Sequence, residues 1–503
     1  MGEKVVADRF DLADRQRFRD RLRACLDALE TMLRKERFEG PSDTIGLEVE
    51  LCLADADGAP RMVNDEVLER MATRDFQAEL GRFTLELNMP PRTLTGSVFD
   101  DLAEELRIAL HYADRSAGEF GAHTVLTGVL PTITPEQVAP HSFSRDERYT
   151  LLNERIMASR GESISLDLRG AERLTGTFDT IAPEAACTSV QFHLQVTPNR
   201  FAAVWNAAQA AAAAQVAVGA NAPFVLGREL WHDSRPAFFL QATDDRPPEL
   251  AAQGVRPRAW FGERWADSVT GLFEENLRYF PALLPLCSEE DPAAVLAAGG
   301  VPRLTELTLH NGTIYRWNRP VYDVAGGVPH LRVENRVLST GPTVTDTIAN
   351  AAFYYGLVHA LADSPEPVWE RLPFARAEAN FEAACRDGID AELAWPGPGG
   401  TATLPAHRLI AEVLLPLAHE GLAGRGVAAA DRERYLGVIE ERCRRRTTGA
   451  SWQTRAYHQA VANGADRTAA LRDLVRRYCE LSRTDAPVHS WPALREPAAR
   501  SGG

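Results

Sequence analysis

The chain has 503 residues, of which 45% are hydrophobic and 25% are charged, and this is the composition of an ordinary globular protein. Its 55 basic and 70 acidic residues give a net charge of −15, which argues against nucleic acid as a partner. The start of the chain lacks the apolar segment of a secretory signal, and no apolar run approaches the length of a membrane span.

Two contrasting segments open the chain. Residues 8–37 are charged and carry apolar residues at helical spacing, which predicts an amphipathic helix packed on the rest of the protein. Residues 44–55 (TIGLEVELCLAD) alternate instead, with Gly46, Glu48 and Glu50 on one face and aliphatic side chains on the other. This pattern predicts a half-buried strand whose polar side holds two carboxylates about 7 Å apart.

The following segments can be assigned in chain order. Residues 64–80 predict a helix or an irregular crossover, and FTLELN at 83–88 predicts a strand closed by Pro90-Pro91. Further helices are predicted at 97–120, 145–161, 199–219, 260–276 and 345–362, further strands at 123–133, 189–196, 312–324 and 330–337, and a loop at 243–258. Gly219 is predicted to cap its helix. From residue 366 onward the chain is predicted to be rich in helices, with a Gly/Pro break at 396–400.

Three later strands repeat the arrangement of the first. Their polar faces consist of Thr84, Glu86 and Asn88; of Ser189, Gln191, His193 and Gln195; and of His330, Arg332, Glu334 and Arg336. Each strand alone is compatible with a face in solvent, but none of the four polar faces contains a lysine. If the four strands share one sheet, one face is a core, and the other gathers four glutamates beside a histidine and two arginines.

This crowding of carboxylates has an electrostatic consequence. Neighbouring strands lie about 4.8 Å apart, so carboxylates on them repel by about 1 kcal/mol in water and several times that near a protein surface. Such groups must either take up protons or hold cations. Oxygen ligands with one imidazole favour a hard divalent ion, which points to Mg²⁺ or Mn²⁺.

Four short motifs in this order resemble the glutamate–cysteine ligase family, within the glutamine-synthetase-like carboxylate–amine ligases. They are GLEVE at 46–50, the acid pair Glu79 and Glu86 ending in LELN, QFH at 191–193, and RVENR at 332–336. Asn221-Ala222-Pro223 resembles the Asn-Ser-Pro loop of the family, with alanine in place of serine. The resemblance covers about residues 44–360, and the C-terminal third lies outside it.

The resemblance implies an α+β fold in which a curved, mainly antiparallel sheet has a polar, concave active-site face and helices on its other face. Residues 41–365 are then predicted to form this catalytic domain, residues 1–40 an N-terminal helix packed on it, and residues 366–503 a helix-rich part of the same globule. The resemblance also implies that ATP and two or three Mg²⁺ ions bind on the concave face.

Roles for single residues follow from the resemblance. The implied metal ligands are Glu48, Glu50, Glu79, Glu86, His193 and Glu334, all of which except Glu79 also follow from the strand faces. Arg336 and Arg332 are implied as contacts to the transferred phosphoryl group, whose oxygens match a guanidinium fork. Gln191 and Arg336 are the candidates for nucleotide contacts. The candidates for holding the amino acid substrate are Asn88, Gln191, Tyr315, Arg316 and Arg319, although a structural cluster of arginines and acids is an equal alternative for YRWNRP at 315–320.

The predicted function is an ATP- and Mg²⁺-dependent ligase that joins a glutamate-like carboxylate to an amine through an acyl phosphate. A phosphotransferase acting on a small carboxylate or guanidine, and a non-catalytic regulator that binds a nucleotide or an amino acid, are the alternatives. The seven cysteines are odd in number and form no CxxC pair, which favours a cytoplasmic protein without structural zinc. We expect small-molecule partners and neither nucleic acid nor membrane. The sequence leaves open the amine acceptor, the donor and whether the protein is a homo-oligomer.

Overall fold

An antiparallel sheet forms the centre of the computed structural model, which describes residues 10–38, 43–397 and 399–492. The strands are β1 (Thr44–Ala54), β2 (Phe76–Ala78), β3 (Thr84–Thr93), β4 (His123–Val125), β5 (Ile164–Arg169), β6 (Arg173–Phe178), β7 (Ser189–Val196), β8 (Phe224–Val225), β9 (Arg228–Glu229), β10 (Ala259–Trp260), β11 (Tyr315–Arg316), β12 (Asn318–Ala325), β13 (Val328–Ser339), β14 (Glu392–Gly397) and β15 (Gly400–Pro405). The central sheet has seven strands in the order β12–β13–β7–β1–β3–β2, with β4 paired to β1. The predicted α+β class and mainly antiparallel sheet are therefore confirmed.

Helices cover the apolar face of this sheet and form most of the C-terminal third. They are α1 (Leu12–Arg34), α2 (Asn64–Met71), α3 (Val98–Gly118), α4 (Glu147–Arg160), α5 (Phe201–Gly219), α6 (Arg235–Ala242), α7 (Pro248–Ala252), α8 (Val269–Tyr279), α9 (Pro292–Ala297), α10 (Thr305–Gly312), α11 (Val344–Ala362), α12 (Val368–Arg371), α13 (Phe374–Asp387), α14 (Ala406–Leu409), α15 (Leu415–Gly424), α16 (Ala429–Arg445), α17 (Gly449–Ala462) and α18 (Arg467–Ser482). Both α5 and α11 are almost entirely buried, and they pack on each other and against β13 and β7.

The main hydrophobic core draws on segments of the chain from α1 to α16. It includes Phe18 of α1, Val49 of β1 and Tyr435 of α16. The alanine-rich segment Pro198–Gly219 is long and apolar enough to cross a bilayer, but 89% of its apolar window is buried inside the protein. Its small side chains allow neighbouring helices to approach closely, which agrees with a role in packing. The proposed division at residues 40 and 365 stays a prediction.

The four strands predicted to carry the polar faces are β1, β3, β7 and β13 of one sheet. The expected stop at Pro90-Pro91 is wrong, because β3 continues to Thr93. The register between β1 and β3 is irregular here: Leu47 pairs with Met89, whereas Ile45 pairs with Arg92. A bulge at this point accommodates two residues that have no N–H to donate to the ladder.

Three other predicted elements differ from the structure. The segment 64–80 contains the short strand β2 after its helix. Of the predicted strand 123–133, only His123–Val125 pairs with β1. The helix predicted at 260–276 begins only at Val269, where the side chain of Ser268 accepts a hydrogen bond from the Gly271 amide. Gly262 has a φ of +127°, a conformation that excludes a helix at this point.

The predicted capping role of Gly219 is also wrong. Gly219 is the last residue of α5, and Ala220 is the C-cap. A Cβ atom at position 219 would lie 2.7 Å from the Leu338 side chain on β13. The glycine therefore permits the close approach of helix and sheet.

Asn221 fastens the loop after α5 to the C-terminal helices. Its side-chain amide donates to the Thr340 carbonyl at 2.6 Å and to the Tyr478 hydroxyl at 2.8 Å, and its Oδ1 accepts from Gln453 at 2.8 Å. All of these side chains are buried. Because a buried amide needs its full set of partners, α17 and α18 help to fix a loop next to the sheet.

Replacing Tyr478 by phenylalanine is expected to lower the free energy of unfolding by about 1–3 kcal/mol, because it leaves buried groups unpaired. The lost hydroxyl donates to the Leu126 carbonyl at 2.5 Å and accepts from Asn221. Chemical denaturation followed by fluorescence measures the change. Tyr279→Phe is the matched control, since Tyr279 is 43% exposed. Equal stability of the two variants would contradict the structural role of Tyr478.

The first three arginines of the basic segment 444–457 lie in surface ion pairs. Arg444 and Arg445 pair with Glu441, and Arg446 pairs with Asp390. These arrangements agree with a solvated helix end.

Candidate active site

The register of the central sheet aligns the polar faces of its strands. Glu50 of β1 lies opposite Glu86 of β3. His193 of β7 lies between Gly46 of β1 and Glu334 of β13. Side chains that are distant in sequence therefore meet on one face of the sheet.

Three carboxylates form the first group on this face, which we call the carboxylate trio: Glu50, Glu79 and Glu86. One oxygen from each lies within 4.8 Å of the others. Glu79 belongs to the segment after β2 rather than to a strand, and its own carboxylate accepts a hydrogen bond from the Leu80 amide at 3.2 Å. The structure thus places Glu79, which was predicted from the resemblance alone, beside the two strand residues.

All three members of the trio are held in an environment that disfavours their charge. Burial raises the pKa of Glu50 to about 7, and the neighbouring Glu86 adds to this effect. Burial and the repulsion of Glu86 and Glu50 raise the pKa of Glu79 well above its ordinary value. Burial and the charge of Glu48 raise the pKa of Glu86 as well. The trio therefore fits a hard divalent cation, which would supply the missing positive charge through oxygen ligands.

Hydrogen bonds hold two of these carboxylates in place. Glu50 accepts from the Ser189 amide at 2.5 Å and from the Gln191 side chain at 2.9 Å. Glu86 accepts from Asn88 at 2.9 Å and also from Gln77. Gln191 and Asn88, which were predicted to contact nucleotide or substrate, here orient carboxylates of the trio.

A second group on the same face is rich in arginine. Glu334 pairs with Arg319 at 2.8 Å and with Arg336 at 2.6 Å. Both guanidinium groups hold the pKa of Glu334 well below its ordinary value, although burial acts in the opposite direction. Arg336 also donates to Gln191. Arg336 therefore connects the arginine-rich group to the carboxylate trio.

Glu48 and His193 form a third contact beside this group. The Nε2 atom of His193 lies 3.0 Å from a Glu48 oxygen, and its Nδ1 accepts a hydrogen bond from the Arg332 Nε at 3.0 Å. Burial would raise the pKa of Glu48, but the contact with His193 and the charge of Arg336 lower it overall. The structure thus places Glu48, His193 and Glu334 on the predicted face. Both carboxylates already have a partner within the protein, which is His193 for Glu48 and a pair of arginines for Glu334. Their role as metal ligands stays a prediction.

Two predicted substrate residues have structural partners. Arg316 is 1% exposed, donates to Glu275 at 2.7 Å and to Asn276 at 2.9 Å, and stacks over the Trp260 ring at 4.8 Å. This corresponds to the alternative of a structural arginine–acid cluster. Arg319 is occupied by Glu334. Because their charges are matched inside the protein, both residues are weak candidates for binding a substrate carboxylate.

A small cavity lies next to the trio. Glu50, Glu79, Tyr315 and Arg336 all border it. Sequence reasoning missed two further charged residues at this cavity, Glu184 and Arg235. Both residues lie outside the alternating strands. The sequence signal for each is a single charged residue among apolar ones, in APEAA at 182–186 and in RPAFFLQA at 235–242.

Arg235 is a buried cation at the start of α6. It is 3% exposed, and its NH2 group donates to the Arg336 carbonyl at 2.8 Å. Its Nε has no hydrogen-bond partner among the residues that the structure describes. A buried guanidinium with a free donor at a cavity is suited to bind a carboxylate or phosphate.

The metal-free protein is expected to lose stability as pH rises from about 4.5 to about 7. The pKa of Glu50 in the folded state is about 7, above its ordinary value of 4.5. The stability that the neutral carboxyl contributes is therefore complete below the ordinary pKa and is lost as the pH rises through the folded-state pKa. The unfolding midpoint with a chelator present measures the effect. Glu50→Gln should show a flatter pH dependence, and Mg²⁺ should raise the midpoint of the wild type at high pH. Equal slopes for both proteins would contradict the prediction.

Comparisons with known proteins agree with this architecture. Residues 44–476 match the model of a family described as glutamate-cysteine ligase family 2. Among solved structures, glutamate–cysteine ligase from Francisella tularensis in complex with AMP has a TM-score of 0.57 and 13% identity, and the match covers 89% of this chain and 90% of that chain. A bifunctional glutathione synthetase from Pasteurella multocida has a TM-score of 0.50 and 12% identity, with 92% of this chain and 55% of that chain covered. At these identities the structures show the fold alone. No curated protein sequence matches the chain.

Proposed function

The chain belongs to glutamate-cysteine ligase family 2 and is an ATP-dependent carbon–nitrogen ligase, and we propose that it activates glutamate or a similar amino acid as an acyl phosphate before an amine attacks it. The observation that carries this proposal is the carboxylate trio, which adjoins Arg336 and a cavity containing the buried cation Arg235. Such a site has carboxylates that can bind the metal of a nucleotide–metal complex and a cavity with a cation that can bind an anionic substrate.

The reaction needs activation because a carboxylate is a poor electrophile. In the proposed sequence, an oxygen of the donor carboxylate attacks the γ-phosphorus of ATP, and ADP leaves. The amine nitrogen then attacks the carbonyl carbon of the acyl phosphate, inorganic phosphate leaves with its bonding electrons, and the nitrogen gives up one proton to the departing phosphate. The protein must align these groups and stabilise the charge that develops on the transferred phosphoryl group.

Glu50, Glu79 and Glu86 would hold a divalent ion, Mg²⁺ or Mn²⁺, which neutralises phosphate charge when bound. Gln191 and the Ser189 amide orient Glu50 toward this role. This orientation matters because the oxygen atoms that bind a metal must stay directed at one point throughout the reaction.

Arg336 would donate to the transferred phosphoryl group. Its position is fixed by Glu334 at 2.6 Å and by Gln191, so the guanidinium need not be reorganised during the reaction. Arg332 donates to the His193 ring at 3.0 Å, so its effect on the phosphoryl group would be indirect and pass through that ring. Arg235 would bind a carboxylate of the donor, since its Nε is free and its charge faces the cavity.

The test uses purified protein with ATP, Mg²⁺, glutamate and a panel of amines that begins with cysteine. We expect amine-dependent release of ADP and a new amide detected by mass spectrometry. Reactions without amine and without glutamate are the controls. A stable phosphorylated carboxylate without an amide would identify a phosphotransferase, and absence of ADP release with every amine would overturn the proposal.

A further inference from the structure

Glu184 is a carboxylate at the cavity that the proposed mechanism does not use. It lies in a short 3-10 helix, Ala182–Ala186, just before β7. Its Oε2 atom is buried and has no hydrogen-bond partner within residues 10–38, 43–397 and 399–492. Leaving a buried carboxylate oxygen unpaired is costly, so this atom is expected to have a partner in the working enzyme.

The charges around Glu184 indicate what that partner is. Of the carboxylates that line the cavity within the described part of the chain, Glu50 and Glu79 belong to the trio, which leaves Glu184. The cations at the cavity, Arg235 among them, are suited to anionic groups of a substrate. A positively charged group of a substrate therefore has Glu184 as its complementary carboxylate.

Aromatic side chains at the same cavity favour the same kind of group. Tyr315 and Phe239 both border it, and their rings meet edge to face at 5.2 Å. A cation near aromatic rings is attracted to their faces in addition to any carboxylate that it contacts. The cavity thus combines a free carboxylate oxygen with aromatic surface, which is a suitable site for an alkylammonium group.

We propose that Glu184 binds the ammonium group of the acceptor amine and so determines that the acceptor is a protonated amine. This inference rests on the proposed ligase function. Reacting atoms must approach to about 3–3.5 Å, and Glu184 shares one cavity with Arg336 and Glu50, where phosphoryl transfer is proposed. The α-ammonium of a glutamate donor is separated from the reacting carboxylate by the length of its side chain, so the acceptor nitrogen fits this position better.

The bound ammonium must lose a proton before its nitrogen can attack. An N–H bond breaks, the proton passes to Oε2 of Glu184, and the electron pair stays on nitrogen. Burial raises the pKa of Glu184 to about 8, with the charge of Arg336 acting against it and that of Glu50 adding to it. The positive charge of the bound ammonium favours the ionised form of Glu184, so the carboxylate can accept the proton near neutral pH.

Hydroxylamine separates this inference from the ligase proposal, because it traps acyl phosphates while uncharged at neutral pH. The assay measures hydroxamate formation from glutamate, ATP and Mg²⁺, with ethylammonium chloride as a competitor and sodium chloride at equal ionic strength as the control. We expect ethylammonium to compete with hydroxylamine in the wild type. In Glu184→Gln, its inhibition constant should rise about 10- to 100-fold, the equivalent of losing a hydrogen bond to a charged group.

Two variants complete the design. Glu184→Asp keeps the carboxyl group and should retain most of the competition, while Glu136→Gln changes an exposed glutamate and should match the wild type. Equal inhibition constants in the wild type and Glu184→Gln would overturn the inference. A rise in KM for glutamate instead would assign Glu184 to the donor and overturn it too. If the wild type forms no hydroxamate, the acyl-phosphate proposal itself fails, and this inference fails with it.

Discussion

Replacing Arg336 by lysine is expected to lower kcat by about 10²–10³-fold, with a smaller effect on KM for ATP. Lysine keeps a positive charge but cannot reproduce the planar fork of donors that matches phosphoryl oxygens. Arg336 contacts Glu334 at 2.6 Å and also Gln191, so its replacement changes a group held in position rather than a mobile surface charge. Steady-state ADP release at saturating ATP, glutamate and amine measures the effect.

Arg173→Lys is the matched control for this experiment. Arg173 lies on β6 in an exposed ion pair with Asp167, where a change of guanidinium to ammonium should leave kcat as it is. The unfolding midpoints of both variants show whether the fold survives. A kcat of Arg336→Lys close to that of the wild type would remove Arg336 from the transfer step.

Replacing Glu79 by glutamine is expected to raise the Mg²⁺ concentration needed for half-maximal activity by at least about 100-fold. The substitution removes one of three carboxylates that lie within 4.8 Å of one another, and it relieves the repulsion that raises the pKa of Glu79. The apoprotein should therefore become more stable while its affinity for the metal falls. Activity titrations measure the Mg²⁺ requirement, and Mn²⁺ binding followed by electron paramagnetic resonance measures the affinity for the metal.

Glu119→Gln is the corresponding control, because Glu119 forms an exposed ion pair with Arg70 away from the trio. Its Mg²⁺ requirement should equal that of the wild type. An unchanged requirement in Glu79→Gln, with ligase activity present, would exclude Glu79 as a ligand.

The strand pattern of the sequence predicts a large part of this site. Alternation in β1 and β7 places Glu50 and His193 on the polar face, and the structure has both strands at the predicted positions. Side chains on strands can be assigned to a face because the period of two is fixed by the backbone. The sequence pattern predicts neither the register that sets Glu50 opposite Glu86 nor the bulge at Pro90-Pro91.

Residues outside the strands could not be predicted in this way. Glu184 lies in a 3-10 helix and Arg235 at the start of α6, where no periodicity relates them to the sheet. Arg316 looked available for substrate because its partner Glu275 is 41 positions away, on a helix whose start was misplaced. Charge matching between distant segments depends on tertiary packing, which local patterns do not contain.

The hydrogen bonds of Asn221 have a consequence for how the enzyme is made. Its partners Gln453 and Tyr478 come 232 and 257 positions later. During vectorial synthesis on the ribosome, the sheet strands therefore emerge long before the groups that secure the adjoining loop. The loop after α5 is expected to reach its final position only once α17 and α18 have been synthesised.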